Sequence, residues 1–346
     1  MIRLTASLRR SRLAARVPDQ FDPSAHGLVP RAELDDRWPG PPPPLHEAKA
    51  AQALADAAWD GDWQTAAAHL EAAGQDWDEH WSRMELLQQV AAEDDGWLDA
   101  WRAARPEDGD AATLHALLLL RRAWAIRGSA YAHEVPEERM SRFRQLVPAS
   151  IEAARKASLA APGHPGPWVV MVTAARGAQY SPHQFVPLWA ELAARAPYHY
   201  EGHWQAMQYW CAKWFGSDRQ MLEFAEHALR IAPEGSPLAG IYLHALQELE
   251  QRGSRLPSGR RAQDLLVAAA RSLGTVPAGD RRLPRLRHLL AHHLLRTGLY
   301  EEALEQFRLI GPWCGAGPWD DERDIVAAFD LARGTAALGA ARRNRS

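Results

Sequence analysis

The sequence predicts an all-α protein assembled from antiparallel helix pairs. Apolar residues recur at helical spacing along most of the chain, and no stretch shows the strict alternation of a half-buried strand. Helical segments close at Ala161-Pro162, Ala196-Pro197 and Ala232-Pro233, 35 and 36 residues apart. The stretch from Pro284 to Pro312 reads as two amphipathic helices meeting at Thr297-Gly298. Leu286, Leu290, Ala291 and Leu294 line the first, and Ala303, Phe307 and Ile310 the second. Such a hairpin cannot bury its apolar face alone and so implies neighbours of the same kind.

Composition bounds the reading. The chain has 346 residues, 47% hydrophobic and 24% charged, and can bury a large core. A formal net charge of −3 supplies no bulk field for nucleic acid or an anionic membrane. Lys49, Lys156 and Lys213 are the only lysines among 40 basic residues. Cys211 and Cys314 stand far apart with no partner motif, which predicts free thiols in a reducing, cytoplasmic setting. No apolar run reaches the ~18 residues of a membrane span.

From the start, residues 1–46 read as an Arg- and Pro-rich disordered tail. Met1 to Arg16 could form a basic amphipathic helix, and the block Pro39-Gly40-Pro41-Pro42-Pro43-Pro44 an extended spacer. A helical array is expected over residues 47–340. His46 to Gly74 gives a helix, a turn at Asp60-Gly61-Asp62 and a second helix. Tryptophan pairs follow at i,i+4 (Trp59/Trp63, Trp77/Trp81, Trp97/Trp101), read as rings filling helix seams rather than stacking on a ligand. Asp110 to Gly128 and Arg142 to Ala161 are the next helices. Trp168 and Trp204 open segments after the first two Ala-Pro stops. A longer unit with a loop at Gly253 to Gly259 runs to Pro277. Trp319 to Ala340 reads as a capping helix with a water-facing outer side, its start capped by Asp320 and Asp321, and residues 341–346 as a short tail.

The closing prolines and the Ala291, Leu294, Gly298, Tyr300, Ala303, Phe307 series resemble the tetratricopeptide repeat, with the unit 284–312 the best match although it closes about three residues early. The resemblance implies a tetratricopeptide-like α-solenoid whose concave groove binds peptides. Residues of about 110–255 are similar to an uncharacterised bacterial family carried as a domain of unknown function. Arg127-Gly128, Pro165-Gly166-Pro167-Trp168 and Lys213-Trp214-Phe215-Gly216-Ser217 carry that resemblance, with Phe215 where the family has glycine. It implies helical repeats and no established activity.

Several residues invite chemistry. In the turn Lys213, Trp214, Gly216, Ser217, a lone lysine beside an indole could receive an anion. The structural reading is a left-handed helix end at Gly216 and a cap at Asp218. Fifteen histidines raise the question of metal: His199 and His203 are four apart, and His288, His292 and His293 share a segment. Neither group has a Glu immediately after its first His, so no metal and no cofactor is expected. Arg285, His288, His292 and Arg296 lie opposite the leucines at steps of three or four, and a basic strip of that kind could receive an acidic peptide. A carboxylate clamp built on asparagine is not available, since Asn344 is the only asparagine.

Two enzyme readings are disfavoured. Asp320-Asp321-Glu322-Arg323-Asp324 matches the Asp-Asp-x-x-Asp pattern of terpene cyclases, but it lies near the C-terminus without a second metal motif. A glycan-active toroid would need a carboxylate pair that nothing singles out. The sequence therefore points to a non-catalytic helical-repeat scaffold binding a peptide or protein partner, with no nucleic-acid or membrane partner. A helical enzyme or small-molecule binder with a Trp/His-lined pocket is the alternative.

Overall fold

The computed structural model describes residues 21–128, 135–320 and 322–343, so the expected helix over Met1–Arg16 lies outside the described residues, as does Asp321. Fifteen α-helices, three short 3-10 turns and no strand appear among the described residues. The chain divides into two compact units, one of residues 43–221 and one joining residues 1–42 to residues 222–346. No helix among the described residues is long and apolar enough to cross a membrane.

The 43–221 unit holds α1 (Leu45–Trp59), α2 (Trp63–Glu71), α3 (Trp77–Glu93), α4 (Gly96–Ala104), α5 (Gly109–Arg127), α6 (Glu137–Ala160), α7 (Gly166–Gly177), α8 (Pro182–Arg195) and α9 (Tyr200–Tyr209). Its helix starts are chemically marked. Asp62 accepts from Thr65 N, Asp76 from Glu79 N, and Asp108 from the backbone of Asp110 and Ala111. Gly61, with φ of +90°, makes the α1–α2 turn that the Asp-Gly-Asp spacing predicts. α6 starts at Glu137, five residues before Arg142, because Pro136 has φ of −52° and two glutamates follow in the first turn. The longest helices of this unit, α5 and α6, pack on each other, and α6, α8 and α9 all contact α7.

The tryptophans divide by burial. Trp81, Trp97 and Trp101 are buried, and Trp101 stacks with Trp63 and Trp97 at centroid distances of 6.1 and 6.5 Å. Trp59 is exposed. Seam filling holds for three of the six, and spacing alone did not separate Trp59 from them.

The second unit contains α11 (Gly240–Gln251), α12 (Arg260–Gly274), α13 (Leu283–Arg296), α14 (Tyr300–Ile310) and α15 (Ile325–Arg343), and the division between the units falls within α10 (Asp218–Ile231). α13 and α14 form the hairpin expected over Pro284–Pro312, with Gly298 at φ +79° in the turn and Gly311 at φ +68° ending the second helix. α14 packs on α13, and α15 on both.

Two expectations about the chain ends are corrected together. Residues 21–46 are not a disordered tail. Residues 21–42 are packed against the second unit, and residues 45 and 46 already belong to α1. Asp35 pairs with the loop after α14, with Asp35 N donating to Pro312 O (2.9 Å) and Cys314 N to Asp35 O (2.8 Å). Gly315 N donates to Trp38 O at 2.9 Å, and Arg308 Nε to His26 O at 2.9 Å. The proline block is therefore partly a docked strap: Pro39 O accepts from His288, and Gly40 lies against Pro284, where a Cβ would come within 2.7 Å.

α15, in turn, has no water-facing side over its middle. Ala332, Arg333, Gly334, Thr335, Ala336 and Ala337 are all buried. Arg333 Nη1 donates to Val29 O at 2.7 Å, so the strap covers the helix. The start of α15 is also capped differently. Asp324 Oδ1 accepts from Ala327 N at 2.8 Å, the role expected of Asp320 and Asp321.

Candidate functional site

The four residues of the expected basic strip do not form one surface. Arg285 and Arg296 are exposed, whereas His288 and His292 are 0% and 1% exposed. His288 Nδ1 accepts from Trp319 Nε1 at 2.9 Å, which leaves its Nε2–H to donate to Pro39 O at 2.9 Å. Burial pushes its pKa down to about 4, so it is a neutral connector between strap and core. His292 Nε2 meets Glu250 Oε2 at 2.7 Å, and Arg296 Nη1 bonds the other oxygen. Sequence reasoning read the histidines as part of an open face opposite the leucines. It missed that both sides of α13 are covered, one of them by chain from the N-terminus.

The Lys213–Ser217 turn also reads differently in three dimensions. Gly216 is not left-handed. Its hydrogen faces the Trp210 carbonyl, and a Cβ would lie 2.0 Å from that oxygen. Glycine is needed there for close approach. Ser217 rather than Asp218 caps α10, since Ser217 Oγ accepts from Gln220 N at 3.2 Å. Trp214 sits edge-on to Trp124 (6.0 Å), with Arg127 and Arg176 over its ring at 5.8 and 5.6 Å. Lys213 is exposed and outside this cluster. Gly216→Ala is expected to cost about 1–3 kcal/mol by forcing the turn open; urea unfolding checks this, and an unchanged midpoint would contradict it.

His199 and His203 are occupied structurally. His199 Nδ1 accepts from Gly202 N at 3.1 Å as the cap of α9, and His203 Nδ1 donates to His199 O at 3.0 Å. A different histidine pair converges where sequence gave no signal. His80 of α3 and His164, in the turn before α7, both place Nε2 on Asp110 Oδ1, at 2.9 and 2.8 Å. Trp77 packs on both rings. Although burial opposes it, the two imidazoles hold the Asp110 carboxyl far below its usual range. His164 Nδ1 accepts from Gly166 N at 2.9 Å, so its proton is on Nε2. A metal at Nε2 would move that proton to Nδ1, against the Gly166 N–H. The trio is built as a hydrogen-bonded tie of three segments.

The same unit carries a cleft of about 520 Å³ bordered by α4, α5 and α6. Ala112, Leu119, Ala149 and Ala153 contribute its small apolar lining, and Arg102, Arg105, His115 and Lys156 its basic groups. Asp108 and Glu152 are the acids lining it. Asp108 is already committed: besides capping α5, it accepts from Trp101 Nε1 at 3.0 Å. The ion pairs of Arg105 and Lys156 are long, at 3.7 and 3.8 Å, and their side chains are half or more exposed. Such pairs exchange easily. Arg105 also lies 5.0 Å from the Trp63 ring centroid.

No protein-family model, curated protein or solved structure matches the chain.

Proposed function

We propose that the chain is a non-catalytic helical-repeat scaffold of tetratricopeptide type that binds an acidic peptide segment of a partner protein. The observation that supports it is the cleft of about 520 Å³ lined by alanines and by the cations Arg102, Arg105 and Lys156, alongside Asp108 and Glu152. Small side chains let another backbone come close, and weakly held exposed cations can trade their present partners for a ligand's carboxylates. Leu159, 80% exposed and one helical turn beyond Lys156, offers an apolar contact beside the charges. The binding surface thus moves from α13 to α4, α5 and α6, and the chemistry of the occupant stays the same.

The test is fluorescence anisotropy with labelled peptides rich in Glu and Leu, against controls with Gln for Glu. Arg105→Glu combined with Lys156→Glu should weaken acidic-peptide binding at least about tenfold, the size of a 1.4 kcal/mol loss. Arg285→Glu combined with Arg296→Glu should leave it unchanged. Equal binding of the acidic and neutral peptides, or a loss caused only by the α13 pair, would remove the cleft from consideration.

A further inference from the structure

We infer that Glu250, His292 and His293 form a binding site for one divalent transition-metal cation of the zinc class. Glu250 lies in the last turn of α11, and the two histidines lie on α13, 42 and 43 residues further along the chain. One ring nitrogen from each histidine and one carboxylate oxygen fall within 4.8 Å of one another. Histidine nitrogens with a single carboxylate suit zinc, cobalt or nickel, whereas magnesium and calcium require several oxygens.

Unspent bonding capacity points to a ligand here. His292 and His293 are 1% and 2% exposed. His292 Nδ1 and His293 Nε2 are buried with no hydrogen-bond partner. Leaving a buried polar atom unpaired costs about 1–3 kcal/mol, and two adjacent cases in one cluster are uncommon. On His293 that open nitrogen is the lone pair a cation takes, whereas on His292 the ligating atom would be Nε2, its proton moving to the unpartnered Nδ1. Next to His293 lies a cavity of about 20 Å³, room for about one water. It is also lined by Arg296 and Tyr242, and the Tyr242 hydroxyl is likewise buried without a partner. Three protein ligands plus one water complete a four-coordinate shell. That water would have the Tyr242 hydroxyl as its neighbour.

The surroundings are those of an oriented ligand set. Arg296 holds one carboxylate oxygen of Glu250, leaving Oε2 turned to His292. Binding would replace the proton now shared between His292 Nε2 and Glu250 Oε2, and their 2.7 Å separation would open to about 3.3 Å around a tetrahedral ion with ~2.0 Å bonds. The contrast with the other trio is direct. At His80, Asp110 and His164 both histidines spend Nε2 on the carboxylate, and the far nitrogen of His164 accepts a backbone N–H and so cannot take a displaced proton, whereas His292 Nδ1 can and His293 Nε2 has no partner. The lack of a Glu immediately after a His, which argues against a metal at the level of sequence, does not bear on a carboxylate arriving from another helix.

The experiment titrates Co²⁺ and then Zn²⁺ into the full-length protein stripped with chelator. Visible absorption reports tetrahedral Co²⁺, and calorimetry gives the stoichiometry. One equivalent per chain is expected, with a thermal midpoint raised by Zn²⁺ and restored by EDTA. His293→Gln and Glu250→Gln, each checked for native helicity by circular dichroism, should weaken binding by about a hundredfold. His164→Gln should retain the equivalent. No stoichiometric binding to the wild-type chain would overturn the assignment, as would binding that survives both His293→Gln and Glu250→Gln or is lost only in His164→Gln.

Discussion

Lowering the pH from 7 to about 4.5 is expected to destabilise the unit of residues 1–42 and 222–346 by several kcal/mol. His288 and His293 are buried in it, His244 is largely buried, and burial pushes all three pKa values down, to about 4 for His244 and His288. The folded state therefore binds fewer protons than the unfolded chain between an ordinary 6.5 and about 4. Stability is fully present above 6.5 and falls as protons bind the unfolded chain. A group moved from 6.5 to 4 contributes about 3 kcal/mol at its full extent, and two such groups exceed half the stability of an ordinary domain. Asp110, in the other unit, works in a different window. Its lowered pKa stabilises that unit above 3.8 and is lost only below it. His115 of that unit is shifted downward too, by burial that is only partial, so its share is smaller. Limited proteolysis with mass spectrometry at pH 7 and 4.5 should show cleavage appearing first in residues 222–346. Equal resistance at both pH values, with unchanged urea midpoints, would contradict the burial argument.

How much of this was legible in the sequence depends on range. Local chemistry was. The α13–α14 hairpin follows from Gly298, its leucines and Pro312, and the α1–α2 turn from Asp60-Gly61-Asp62. Helical content follows from periodicity, which is a property of neighbouring residues. The basic strip failed for the opposite reason. A helical wheel gives the angle at which His288 and His292 leave α13, but what covers that angle is set by Pro39, Trp319 and Glu250. The tail failed similarly. Proline does exclude regular structure from residues 39–44, but an irregular strand can still dock through its carbonyls, and composition does not distinguish the two. The trio at Asp110 joins residues from three separate segments and has no spacing to read.

Close approach is the remaining blind spot. From sequence, Gly216 reads as a conformational need because glycine at a helix end usually is one. The structure gives the steric alternative, a carbonyl where the Cβ would be. The cleft on α4, α5 and α6 was likewise hidden in plain composition: alanines at 112, 149 and 153 look like helix filler until two helices place them along one cleft with cations beside them.

Arg333→Met should cost about 3–5 kcal/mol and loosen the N-terminal strap. Arg333 is 1% exposed at the middle of α15. Its Nε donates to Asp330 Oδ1 at 2.9 Å, its Nη1 to Val29 O at 2.7 Å, and its guanidinium lies 5.7 Å from the Phe21 ring centroid. Methionine fills much of the same volume, so the change isolates charge and hydrogen bonding from packing. It leaves Asp330 with Arg31 alone, 3.7 Å away and on an exposed side chain, and leaves the Val29 carbonyl without its donor. Removing one partner of a buried ion pair costs more than the pair's net contribution, because the remaining charge keeps its desolvation penalty. The loss should have a spatial signature. Hydrogen exchange should accelerate at Asp35, Cys314 and Gly315, whose backbone N–H groups tie strap to core, and at Arg333 and its α15 neighbours. It should not change in α5 or α7 of the other unit. A cost under about 1 kcal/mol, or exchange that rises equally in both units, would show that the strap is held by its apolar contacts and not by Arg333.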